Sequence, residues 1–219
     1  MTVYAELAVS SNFSFLDGAS HPEELVVTAT ALGLEAIAIT DLNSVTGLVR
    51  AHTAAKQAGI RLVIGCRLAL NDGPDVLVYP QDRAAYGRLM RLLTLGKRRV
   101  SKGECHIAMA DLLKPTGVFA GGDGQVIGAV APRRLDKDFE DNLHKLLKNF
   151  KKKLYIVVSY NYIGINEERL KILQRIATEV GVKLLASNDV RYHHAERRPL
   201  HDVLICIREG CTVREAGWR

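Results

Sequence analysis

Strand-like and helix-period segments alternate along almost the whole chain, and that alternation limits the fold more than any other feature. Short runs rich in β-branched and apolar residues occur at YAELAV (4–9), AIAIT (36–40), RLVIGCRLAL (61–70), DVLVYP (75–80), QVIGAV (125–130), LYIVVSY (154–160) and KLLASND (183–189). Between most of them lie helical spacings. PEELVVTATALG has Ser20 or His21 before Pro22 as a start and Gly33 as a stop, TGLVRAHTAAKQAG stops at Gly59, and EERLKILQRIATEVG stops at Gly181. DRAAYGRLMRLLTLG and DKDFEDNLHKLLKNF complete the set. Alternation of this kind implies a parallel sheet, and AIAIT and LYIVVS, apolar on both faces, suit strands covered by helices. About seven such units, with neither GxGxxG nor a GxxxxGK phosphate loop, favour an α/β fold of the barrel kind over a dinucleotide-binding sheet.

A chain of 219 residues with 47% apolar content can bury one continuous core. No run of eighteen apolar residues occurs, and MTVYAELAVSSNFSF lacks a basic region followed by a long apolar one, so neither a membrane span nor a signal peptide is indicated. The expected location is therefore the cytoplasm, with no membrane partner. Cys66, Cys105, Cys206 and Cys211 form no CxxC pair, which predicts thiols in a reducing compartment and argues against a structural zinc.

The formal charge of +6 permits association with nucleic acid without requiring it. Basic residues cluster at GKRRVSKG (96–103) and KNFKKK (148–153). Both read as solvated surface, because neither interleaves aromatics of the kind that stack bases. KPTGVFAGGDGQ, around Gly121 and Gly122, is the stretch most like a phosphate loop. Its spacing matches no known cradle, and it reads as a loop between layers.

In a parallel barrel the C-terminal ends of the strands face one another. Those ends carry Glu6, Ala8 and Ser10, then Asp17 in the following loop, Asp41 and Leu42, Arg67, and finally Asn188, Asp189 and Arg191. The stretch EAIAITDLNSVTG (35–47) runs as a strand to Asp41 and then turns, with Leu42 where a catalytic rim would want an imidazole or a carboxylate. A multinuclear hydrolase site needs such ligands converging on ions about 3.5 to 4 Å apart. This rim offers acids, a leucine and two arginines.

The runs YAELAVSSNFSFLDGASHPEELV, ITDLNSVTG, IGCRLAL and ASNDVRYHH resemble the polymerase and histidinol phosphatase (PHP) domain at the N-terminus of bacterial C-family DNA polymerases. DGPDVLVYPQDRAAYGRLMRLLTLGKRR, KGECHIAMADLL and HHAERRPLHDVLICIREGCTVREAG resemble the error-prone, damage-tolerant branch of that family. The resemblance implies a distorted (β/α)7 TIM-like barrel, and polymerase aspartates lying beyond Arg219. The family's His-x-His-x-His-Ser pattern falls on Glu6, Ala8 and Ser10 followed by Ser11, so all three imidazoles are absent. Its Thr-Asp-His-Gly falls on Thr40, Asp41, Leu42 and Asn43, its Gly-Cys-Glu on Gly65, Cys66 and Arg67, and its Asn-Asp-Val-His on Asn188, Asp189, Val190 and Arg191. Asp17 remains at an acidic loop position. The resemblance thus implies a degenerate site at Glu6, Ala8, Ser10, Asp17, Leu42, Arg67, Asp189 and Arg191, with no metal, no other cofactor and no catalytic residue.

His106, at a mid-barrel position, and the pair His193 and His194 invite a metal reading, but His106 stands far in sequence from the pair. His106 falls in a polar loop, and His193 and His194 read, with His21, His52, His144 and His201, as helix-cap or surface groups. Ser10, Ser11 and Ser14 lack a recognisable base and orienter. The expected division is a PHP barrel at 1–195 and, at 196–219, the start of a connection to a polymerase body, whose helix carries an apolar stripe of Leu200, Leu204 and Ile207. That helix breaks off soon after Gly210, as in a piece of a longer protein. The leading reading is a non-catalytic scaffold or docking module of a translesion polymerase. Its partners are then the polymerase body, other replication or repair proteins, and DNA by weak or indirect contact. A metal-dependent phosphoesterase or 3′–5′ exonuclease and an independent nucleic-acid-binding domain are the alternatives. Arg67 or Arg191 is expected to pair with Glu6, Asp41 or Asp189 where metals would otherwise neutralise the acids.

Overall fold

A computed structural model describes residues 4–160, 164 and 166–217. The chain divides into two compact units, Met1–Cys66 with Asp189–Arg219 and, separately, Arg67–Asn188.

In the first unit β1 (Ala5–Val9), β2 (Ala36–Ile39) and β3 (Arg61–Ile64) form a parallel sheet in the order β1-β2-β3. α1 (Pro22–Ala31) and α2 (Leu48–Ala58) connect the strands and pack on each other, and both bury small residues, among them Ala29, Ala51 and Ala55. α1 begins where expected: Pro22 fills the first turn, and Glu24 reaches back to accept the His21 amide at 2.8 Å. α2 ends on Gly59 in the left-handed region, at φ 74°. All four residues of β2 are buried, consistent with a strand covered on both faces.

The second sheet has the order β4-β5-β6-β7-β8, formed by Cys66–Leu68, Val76–Pro80, Gln125–Val130, Leu154–Val158 and Lys183–Ala186. α3 (Arg83–Arg98), the short α4 (Met109–Leu113), α5 (Lys137–Phe150) and α6 (Asn166–Val180) lie between its strands. Asp82 and Asp136 start α3 and α5 by accepting the amides of Ala85 at 2.7 Å and Phe139 at 3.2 Å.

Two expectations need correction. The apolar run 61–70 is not one strand: it breaks at Gly65, which brings no side chain to either sheet, and supplies β3 to one and β4 to the other. The sheet is also not wholly parallel, since β5 and β6 run antiparallel from Val76↔Ala129 to Pro80↔Gln125. No helix among the described residues is long and apolar enough to cross a membrane.

Helix α7 (Arg198–Glu209) belongs to the first unit, follows a single 3-10 turn at Ala195–Arg197 and ends on Gly210 at φ 64°. Leu200 and Ile207 are exposed, as the apolar stripe predicts. Val203 joins them, while Leu204 is half-buried.

Candidate functional site

The C-terminal rim of the first unit's sheet gathers most of the residues singled out above. An extra residue in β1 shifts its register against β2 between Glu6 and Val9, the kind of bulge that re-aims side chains at a strand end. Beyond it, the Val9 amide donates to Thr40 Oγ1 at 3.1 Å and the Thr40 amide to the Val9 carbonyl at 2.8 Å, which holds the two strand ends together. Val190 adds a parallel bridge on the same strand: its amide donates to the Ala8 carbonyl at 2.8 Å, and its carbonyl accepts from the Ser10 amide at 2.9 Å. Asp189 and Arg191 therefore stand beside Ser10 although far from it in sequence. Asp189 (φ 50°), Asn43 (φ 48°) and Leu16 (φ 56°) all occupy the left-handed region around this rim. Short polar side chains tolerate that conformation, whereas a leucine there is strained.

Asp41 is the buried centre, only 1% exposed. Its Oδ1 accepts the Ser11 amide at 2.7 Å and the Ser11 and Ser14 hydroxyls at 2.9 Å each; its Oδ2 lies 2.8 Å from Ser11 Oγ. Ser14 Oγ in turn accepts the Leu42 amide at 2.9 Å. Burial raises the Asp41 pKa above the ordinary carboxylate range, the serine donors work against that shift, and the Asp17 charge adds to it. Gly47 is required by this packing, since a Cβ there would fall 2.6 Å from Asp41 Oδ2 and 3.0 Å from Ser11 Oγ.

Arg191 is the second centre, with its side chain 19% exposed. Its Nε lies 3.2 Å from Asp17 Oδ2, its Nη1 3.0 Å from Asp189 Oδ1, and its Nη2 donates to Asp189 Oδ2 at 3.0 Å. Nη1 also donates to Ser10 Oγ at 2.7 Å. Asp17 is shared with helix α7, whose Arg208 Nη1 lies 3.1 Å from its Oδ1. The expected pairing of an arginine with an old ligand-position acid is thus present at Arg191–Asp189.

Glu6 is buried and accepts from Tyr4 Oη at 2.8 Å and from the Ala8 amide at 3.0 Å, and burial together with the Glu6 charge pushes the Tyr4 phenol well above its usual range. Ala8 is core, and Leu42 is exposed. Arg67 lies in the second unit, where its Nε donates to Asp75 Oδ2 at 2.8 Å. His106 is an exposed residue of that unit, its carbonyl accepting from Arg99 Nη1 at 3.3 Å. His193 Nδ1 lies 2.8 Å from Ser20 Oγ and 3.8 Å from Glu24 Oε2, and His194 is exposed. His201 tilts against Tyr192 with ring centroids 5.5 Å apart; burial lowers its pKa, and its Nε2 has no hydrogen-bond partner. Ser11, Ser14 and Arg208 are the members of the network that sequence reasoning assigned no part in it.

A parallel three-stranded sheet with a polar rim and a mixed five-stranded sheet give the chain the α/β pattern of the PHP fold, a distorted relative of the TIM barrel. The chain belongs to the PHP domain family, whose profile matches residues 6–161. Among curated proteins it is 48% identical over 218 residues to the error-prone DNA polymerase of Caulobacter vibrioides, covering 99% of this chain and 20% of that protein. It is 46% identical over 223 residues to the error-prone DNA polymerase of Brucella abortus, again covering 99% and 20%. The chain spans about a fifth of the length of these relatives. Two solved structures share the fold. One is a Bifidobacterium adolescentis protein assigned by inference to the metal-dependent phosphoesterases, with TM-score 0.60, 17% identity and 89% of each chain covered. The other is an amidohydrolase from Chromobacterium violaceum, with TM-score 0.61, 16% identity and 86% and 87% covered.

Proposed function

We propose that this chain is the PHP domain of an error-prone DNA polymerase acting in translesion synthesis, and that it serves there as a non-catalytic scaffold. Nucleotidyl transfer belongs to a polymerase body elsewhere in such a protein. The observation that carries the reading is the position of the Arg191 guanidinium, which occupies the donor set a metal would need. Asp17 and Asp189 face that cation within 3.2 Å, and both Asp41 oxygens lie within hydrogen-bond distance of serine hydroxyls. A divalent ion would have to displace a charge already matched to these acids, so the residues do not fit the family's metal cluster. The 48% identity to an error-prone polymerase supports the polymerase context. Residues 1–195 form the domain in this reading, and 196–219 begin the connection to the body, with Leu200, Val203 and Ile207 turned toward it.

The test is metal analysis of the purified chain after exposure to zinc and manganese, with hydrolysis of a phosphodiester measured in parallel. Substoichiometric metal and no hydrolysis above the metal-only blank are expected. Stoichiometric metal that is lost in Asp17→Ala, together with turnover, would replace the scaffold by a phosphoesterase or exonuclease. Primer extension by the full polymerase with and without this domain tests the scaffold itself, and reduced stability with intact chemistry is expected.

A further inference from the structure

Two features that read separately in the sequence as surface and loop meet at one concavity of the second unit. The glycine-rich turn Ala120–Gly124 and the end of α5 with Lys151, Lys152 and Lys153 line a cavity of about 520 Å³, together with Gln125, Asn149 and Phe150. The turn is tied to the helix rather than left mobile. Asn149 Nδ2 donates to the Leu113 carbonyl at 2.7 Å and lies 3.4 Å from the Gly121 carbonyl. The Phe150 ring lies so close to Gly122 that a Cβ there would come within 1.9 Å of Cε1.

Lys151 then turns the chain out of α5 with φ 46°, an unfavourable conformation for a side-chain-bearing residue, and all three lysines are exposed. No ion pair engages Lys151, Lys152 or Lys153 among the described residues. The one carboxylate on the cavity, Asp123, lies 3.2 Å from Arg88 Nη2, so its charge is already offset. Gln125 is fully buried at the same wall, its Nε2 donating to the Ala85 carbonyl at 2.7 Å and its Oε1 without a partner.

We infer that this cavity is a binding site for the phosphodiester backbone of DNA, independent of the rim around Asp41 and Arg191. Three adjacent unpaired ammonium groups on a rigid, concave support suit a polyanion of regularly spaced phosphates. Phe150, the one aromatic that lines the cavity, is buried, so the contact reads phosphates and not bases and carries no sequence preference. The site stands whether or not the scaffold reading of the rim is right.

Fluorescence anisotropy of a labelled duplex across a salt series, starting near about 20 mM, tests this on the 219-residue chain. Lys151→Gln/Lys152→Gln/Lys153→Gln is compared with Lys97→Gln/Arg98→Gln, a neutralisation of the exposed end of α3. The expected result is salt-dependent binding whose log–log slope falls by about 2 to 3 in the triple-lysine variant, with little change in the control. Circular dichroism should show both variants folded, since the substituted side chains are exposed. Undetectable binding at the lowest salt, or equal loss in the two variants, overturns the site. Displacement of the duplex by inorganic pyrophosphate at equimolar concentration would overturn the backbone assignment in favour of a small polyphosphate.

Discussion

Arg191 holds Asp17 by a 3.2 Å contact from its Nε, while the other oxygen of the same carboxylate takes Arg208 of helix α7 at 3.1 Å. One acid therefore ties the loop after β1 to the residue beside β1 and to the helix that follows. Arg191→Ala would leave Asp189 without its bidentate partner and Ser10 Oγ without its short donor. Because the group is mostly screened from solvent, the expected cost is about 2 to 4 kcal/mol in denaturant unfolding. Arg191→Lys should recover only part of it, since an ammonium cannot reproduce the planar fork. Equal stability of wild type and Arg191→Ala would show the network to be ornamental.

Asp41 gives a prediction with a sign. Its folded pKa is raised, so between the unfolded carboxylate value and the folded one the native state binds the extra proton. Stability from this group therefore falls as pH rises through that window, and returns as pH is lowered. Asp41→Asn removes the titration while keeping an oxygen for the Ser11 and Ser14 donors. The difference in unfolding free energy, wild type minus Asp41→Asn, should increase on acidification through the raised Asp41 range. Glu23, lowered mainly by its bond to Arg50, and Asp111, lowered by Arg99, act in the opposite direction in both proteins and cancel in the comparison. A difference that is flat with pH would refute the raised value.

Helix α7 allows a third test. Val203 and Ile207 are exposed beside Leu200, so Val203→Ser/Ile207→Ser removes little buried area. Unfolding free energy should change by no more than about 0.5 kcal/mol per site. Concentration-dependent self-association in sedimentation, if the wild type shows it, should weaken, because the apolar patch is what two copies would share. A large loss of stability would mean that these side chains support the first unit from within.

The strands and most helices were legible because both faces of the strands and the 3.6-residue spacing of the helices leave marks in the order of residues. The break at Gly65 was not, since an apolar run looks the same whether it serves one sheet or two. α4 has five residues, too few for a periodic signal. At the rim, the substitution of an arginine for a ligand made the pairing of Arg191 with an acid foreseeable. Its link through Asp17 to Arg208 was not, because the two partners are 191 residues apart. Ser11 and Ser14 escaped for another reason: a serine that donates to a buried carboxylate has no spacing pattern of its own. KPTGVFAGGDGQ and KNFKKK share no pattern that links them in the sequence, and packing through Phe150 and Asn149 joins them.

That joint is the place to separate backbone strain from steric exclusion. Gly122 has φ 82° and Gly103 has φ 99°, so alanine is conformationally unfavourable at both. They differ in what surrounds them: nothing lies within 4 Å of a Cβ at Gly103, whereas at Gly122 the new methyl would meet Phe150 at 1.9, 2.5 and 3.0 Å. Phe150 is buried, so its ring cannot swing into solvent without opening a cavity. Gly103→Ala should therefore cost about 1 kcal/mol, the strain alone, and Gly122→Ala about 2 to 4 kcal/mol, strain plus overpacking. Gly122→Ala should also weaken duplex binding even though it removes no charge, because the turn that shapes the lysine cavity must shift to admit the methyl. Equal costs at the two glycines in urea unfolding would mean that the loop yields freely. The turn and α5 would then not form a rigid support.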